Sequence, residues 1–90
     1  MHLRFSHYLP LITRCPVKGV DLGYITVETG AMIEIYEVRR MIHAFRWKKV
    51  WLEDLLTELS CQIVTRWPDV QLYDLTLHYR LMGGKVVLHA

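Results

Sequence analysis

The sequence predicts an α+β domain, a four-stranded antiparallel sheet with two helices on one face, in the order ββααββ. Three observations point to it. Apolar and polar residues alternate toward both ends of the chain, as in half-buried strands. Between Ile33 and Ile63 the apolar spacing lengthens to three and four, as in amphipathic helices. The breakers Pro16, Gly19, Gly30, Pro68 and Gly83-Gly84 fall between these blocks.

Leu3 to Thr13 mixes apolar and polar residues around Pro10, a first strand broken where proline cannot donate to a ladder. Cys15-Pro16-Val17-Lys18-Gly19-Val20-Asp21 follows as a loop. Tyr24 to Glu28 is aromatic and β-branched, a second strand ended by Thr29-Gly30. Ile35, Val38, Ile42 and Phe45 then form one stripe of a helix, with Glu34 and Glu37 in its first turns and Arg46 in its last, as the dipole favours. Leu52, Leu55, Leu56, Leu59 and Ile63 mark a second helix, stopped at Trp67-Pro68-Asp69. Leu75, Leu77 and Tyr79 alternate with Thr76, His78 and Arg80, whereas Val70 and Leu72 have the opposite parity. That slip predicts a bulge near Tyr73-Asp74. Met82-Gly83-Gly84-Lys85 is a hairpin-turn signal, and Val86 to Leu88 completes the last strand.

Ninety residues are too few for two hydrophobic cores, so 1–90 is read as one domain. Eleven Lys and Arg against nine Asp and Glu leave a formal charge of +2, which excludes a polybasic tail and an acidic solvating segment but allows a polyanionic partner. A hydrophobic content of 52% argues against disorder. No apolar run is long enough to span a membrane, and residues 1–7 lack the apolar core of a signal peptide, so the expected location is the cytoplasm. Cys15 and Cys61 are too few for a disulfide scaffold, and with no CxxC or HxxxH no metal site is expected. An open four-stranded sheet leaves two unpaired edges and a bare face; several copies closing edge to edge into a barrel would remove both. A homo-oligomer is therefore expected.

The loop from Cys15 to Asp21 carries the chemistry. A thiol between Arg14 and Lys18, with a carboxylate six residues on, combines a nucleophile, a positive field and a proton-transfer group. The plainer alternative is a packed loop cysteine and a solvated aspartate. Cys61 reads as a small buried apolar group of the second helix, and Trp47, Trp51 and Trp67 as core or interface anchors that are also able to stack on bases. Arg39, Arg40, Arg46, Lys48 and Lys49 form either a solvated helix face or a set of phosphate contacts. His43, His78 and His89 read as surface or interface histidines.

Several of these stretches together resemble the 7-cyano-7-deazaguanine nitrile reductase (QueF) family, including its QueF-like amidinotransferase relatives. Cys15-Pro16 to Asp21 resembles the nucleophile loop of that family, and Gly30 to Arg46 its first helix, with Phe45-Arg46 at the aromatic-arginine position. Trp51-Leu52-Glu53-Asp54 falls where the family carries a His-Glu pair, and Gly83-Gly84 at its double glycine. The resemblance implies a tunnelling fold (T-fold), assembling into a β-barrel ring as a pentamer or a face-to-face decamer with active sites at the interfaces. It further implies that Cys15 attacks the nitrile carbon to form a thioimide, that Asp21 shuttles the proton, and that Glu53 binds the purine-like base. Alternatively, Glu53 is simply an exposed first-turn residue stabilised by the helix dipole.

The reductases use NADPH and a Glu-x-Lys-x-x-Lys helix motif; here Glu34-Ile35-Tyr36-Glu37-Val38-Arg39 has tyrosine in place of the first lysine. The run Glu37 to Met41 and the short chain look more like the archaeosine-forming amidinotransferases, which need no cofactor and use ammonia as nitrogen donor on 7-cyano-7-deazaguanine in tRNA. Two features depart from the family pattern: Leu52 stands where the family has histidine, and the Cys15-to-Asp21 loop is one residue short. Leu52 favours a third reading, a non-catalytic T-fold that only binds a ligand.

Overall fold

The computed structural model describes residues 3–17, 19–81 and 84–89. Strand β1 (Leu3–Arg14) pairs antiparallel with β2 (Val20–Thr29), and two helices, α1 (Ile35–His43) and α2 (Leu52–Arg66), lead to β3 (Leu72–Leu81) and β4 (Gly84–His89). The four strands form one sheet in the order β1-β2-β3-β4, all neighbours antiparallel. The expected order ββααββ is the observed one.

Both irregularities in the ladder lie where the sequence places them. The β1–β2 register shifts between His7 and Leu11, across Pro10, on an edge strand that tolerates a missing N–H. Glu28 faces Asp74 while Thr29 faces Leu72, so Tyr73 is the extra residue of a β3 bulge. The bulge puts Leu72 back in step, and Leu72 and Val70 pack on the core beside Leu75, Leu77 and Tyr79.

One face of the sheet is buried by the helices. Leu11, Ile25, Val27, Leu75, Leu77 and Tyr79 pack there with Val38, Ile42, Phe45, Leu55, Leu56, Leu59 and Ile63. Glu34 caps α1 through a side-chain oxygen that accepts from the Tyr36 N–H at 3.1 Å. Ile33 and Val38 stand at the positions a hydrophobic staple uses, and both are buried, while Ile35 is only half-buried. Arg46 is not in the last turn of α1, because the helix ends at His43 and the chain turns through 44–47. Cys61 is exposed rather than buried. Two residues along a helix is about 200° of rotation, so neighbours at that spacing do not share a face with Ile63.

Two backbone positions matter for the site. Trp47 has φ 63, the left-handed region, where an L side chain costs about 1–2 kcal/mol. Gly23 lies opposite Tyr79 in the ladder, and a Cβ there would collide with the His78 carbonyl oxygen and the Tyr79 ring. The missing side chain lets the Tyr79 ring lie across β2. Gly23→Ala is therefore expected to destabilise the fold by about 2 kcal/mol or more, read as a lower denaturant midpoint at unchanged slope.

Candidate functional site

The β1–β2 hairpin brings Cys15 and Asp21 to one end of the sheet. Thr13 faces Asp21, Arg14 faces Val20, and the ladder closes with the Cys15 N–H donating to the Gly19 carbonyl at 3.0 Å. Gly19 has φ 81, which suits a residue without Cβ at the tip. Cys15 and Asp21 are thus diagonal neighbours of matching parity, a spacing of about 7–8 Å between backbones. Cys15 is half-buried and free of any disulfide.

Asp21 is not a solvated loop carboxylate. It lies inside β2 on the helix-covered face and is only 4% exposed. Burial raises its carboxyl above the ordinary aspartate value of 3.8, favouring the protonated acid. Thr13 is its cross-strand partner, and Tyr79 reaches the same corner over Gly23. The Tyr79 hydroxyl is pushed up to about 12, chiefly by burial, with the Asp21 charge adding. Neither Thr13 Oγ1 nor Tyr79 OH has a hydrogen-bond partner among the described residues. Three buried polar groups therefore meet beside the cysteine loop, of which sequence reasoning singled out only Asp21. The available signal was register: Thr13 and Asp21 flank the loop symmetrically.

The third predicted residue, Glu53, follows a short extended segment that is fastened to β1. The Arg14 N–H donates to the Lys48 carbonyl at 2.8 Å, and the Val50 N–H donates to the Arg14 carbonyl at 3.0 Å. Arg14 and Lys49 form a parallel bridge, which fastens the approach to α2 along the edge of β1 next to Cys15. Trp51 is the N-cap of α2, with no side-chain cap bond. Glu53 follows in its first turn, exposed, three residues from the fastened Val50.

The Arg14 guanidinium does not turn to the thiol; its Nε donates to the Trp47 carbonyl at 2.8 Å. Lys18 and Gly83 lie outside the described residues. Leu52 packs on the core. His78 stacks on Tyr24 with ring centroids 4.4 Å apart, and His89 meets Thr76 and Asp74; both are on the sheet face away from the helices. His43 is exposed at the end of α1. Trp47 and Trp51 are exposed, so neither is a core anchor of this chain, while Trp67 packs on the core. Among the described residues no group of three His, Cys, Asp or Glu is placed to hold a metal ion, and no helix is long and apolar enough to cross a membrane.

Two antiparallel strands, a helix pair over one face and two further strands define a tunnelling-fold unit. No family model and no curated protein matches the chain. Among solved structures it is similar to the archaeosine synthase QueF-Like in its apo form, at 23% sequence identity and a TM-score of 0.79, over 99% of this chain and 90% of that one. The likeness establishes the fold.

Burial of Asp21 sets a pH dependence with a definite sign. The folded state holds the proton more tightly than the unfolded chain, so stability falls as pH rises from about 3.8 through the raised value, and the full penalty stays above it. Asp21→Asn removes that penalty. The difference in unfolding free energy between variant and wild type is expected to grow across the acid range and then level off; a difference independent of pH would contradict the assignment.

Proposed function

We propose that this protein forms an amidine on 7-cyano-7-deazaguanine carried in tRNA, the reaction that makes archaeosine. The observation that supports this reading best is that the β1–β2 hairpin brings Cys15 and buried Asp21 to one end of a T-fold sheet, where Arg14 fastens the segment that leads into α2 and Glu53. The likeness to an archaeosine synthase QueF-Like agrees with it.

Each residue then has a step. The Cys15 thiolate adds to the nitrile carbon while Asp21, whose burial favours its protonated form, gives its proton to the nitrile nitrogen, producing a thioimide. Ammonia adds to the same carbon. The tetrahedral adduct expels the Cys15 thiolate, and the carbon is left with two nitrogens as an amidine. Nitrile plus ammonia equals amidine, so no redox equivalent is consumed. Glu53, acceptor-only when ionised, takes the ring N–H and exocyclic amine of the base. Copies of the chain close through the β1 and β4 edges into a ring, which places each site near a neighbouring copy.

A second reading follows from Leu52. Its packing on the core supplies no proton relay where the resembling enzymes carry histidine, which favours a ligand-binding T-fold without turnover.

Intact-protein mass separates these readings. Incubation with 7-cyano-7-deazaguanine is expected to add the whole ligand mass to wild type and nothing to Cys15→Ala. Glu53→Gln is expected to slow adduct formation about ten-fold or more, the worth of a charged hydrogen bond. Ammonium should then release the amidine. Release of an amine with NADPH instead would make the protein a nitrile reductase, and no adduct with free base or base-modified tRNA would leave the ligand-binding reading.

A further inference from the structure

The segment that fastens α2 to β1 has an unusual outer surface. Arg46, Trp47, Lys48, Lys49 and Trp51 are all exposed, Trp47 by 54% and Trp51 by 49%. Trp47 takes a left-handed backbone conformation, one that glycine adopts without strain, at the end of the turn that follows α1. Its backbone is locked there by its N–H on the Ile12 carbonyl at 2.6 Å and by Arg14 Nε on its own carbonyl. The chain therefore holds a large aromatic ring in an unfavourable backbone conformation without burying it. Packing within this chain does not account for that ring. Lys48 sits over the Phe45 ring, while Arg46 and Lys49 make no ion pair among the described residues.

We infer that the segment 46–51 is a docking element for single-stranded RNA, with Trp47 and Trp51 as stacking platforms and Arg46 and Lys49 as phosphate contacts. Exposed aromatic rings alternating with free cations match the repeat of base and phosphate along a strand. The segment adjoins Cys15 through Arg14, so a strand lying on it delivers a base to the thiol while the Glu53 carboxylate, which repels phosphate, is left for the base edge. This deepens the proposed function and rests on it for the identity of that base. Binding of the strand does not require the thiol.

Titration of tryptophan fluorescence with an unmodified single-stranded oligoribonucleotide, repeated across salt concentrations, tests the inference. Wild type is expected to be quenched on binding. Trp47→Gly, which relieves the backbone, should keep or raise the melting temperature, keep the oligomeric mass, weaken binding roughly ten-fold and leave the salt slope unchanged. Trp51→Ala, which has no cap bond to lose, should behave likewise. The double variant Arg46→Gln, Lys49→Gln should flatten the slope of log K against log salt by about 0.7 per charge removed. Absence of binding by wild type, wild-type affinity in both tryptophan variants, or loss of binding that always accompanies a change in oligomeric mass would overturn it, the last assigning the rings to contacts between copies. The mass assay with free base tests the thioimide separately, so either proposal is able to fail alone.

Discussion

Everything at the candidate site depends on how Arg14 is held. Its N–H and carbonyl bond outward to Lys48 and Val50, off the sheet edge, while Arg14 faces Val20 in the ladder. Its side chain bonds the Trp47 carbonyl as well. One residue thus joins the end of β1 to the approach of α2. Unmade, these bonds would leave buried or edge backbone groups without partners, each worth about 1 kcal/mol net and more when stranded. Their combined effect is positional: Cys15 is the next residue on one side, and Glu53 lies one turn beyond on the other.

The sheet supplies the remaining corner. Gly23 lets Tyr79 cross β2, and Tyr79, Thr13 and Asp21 then crowd a region the helices keep from water. Low dielectric makes ionised groups there unfavourable, which is why both the Asp21 carboxyl and the Tyr79 phenol hold their protons more tightly. A carboxyl shifted toward its protonated form suits the proton donor that the proposed addition requires. The same burial destabilises the fold whenever Asp21 ionises, so the site and the core compete for the same carboxyl.

Much of this was legible in the sequence, for reasons that are local. A strand has a period of two, so the parity slip between Leu72 and Leu75 required an extra residue, and Tyr73 is that residue. The stripe Leu55, Leu56, Leu59 and Ile63 is buried because its spacing is helical. Cys61 shows the limit of reading by adjacency, since its nearness to Ile63 in sequence means the opposite face in space. The pairing of Arg14 with 48–50 left no such trace: a segment this short has no period, and its partner is more than thirty residues away. Nor does any local pattern announce that Trp47 turns left-handed or that Tyr79 reaches Asp21. Those follow from tertiary packing.

The proposed function requires one end of this T-fold sheet to gather a nucleophile, an acid and a base-reading carboxylate around a nitrile. A crystal structure of the protein after reaction with 7-cyano-7-deazaguanine tests it most directly. The account predicts continuous density from Cys15 Sγ to the former nitrile carbon, the adjacent nitrogen within hydrogen-bonding reach of the Asp21 carboxyl, and a Glu53 carboxylate on the ring N–H and exocyclic amine. Ligand bound elsewhere, or bound at this end with Cys15 and Asp21 both out of reach, would contradict it.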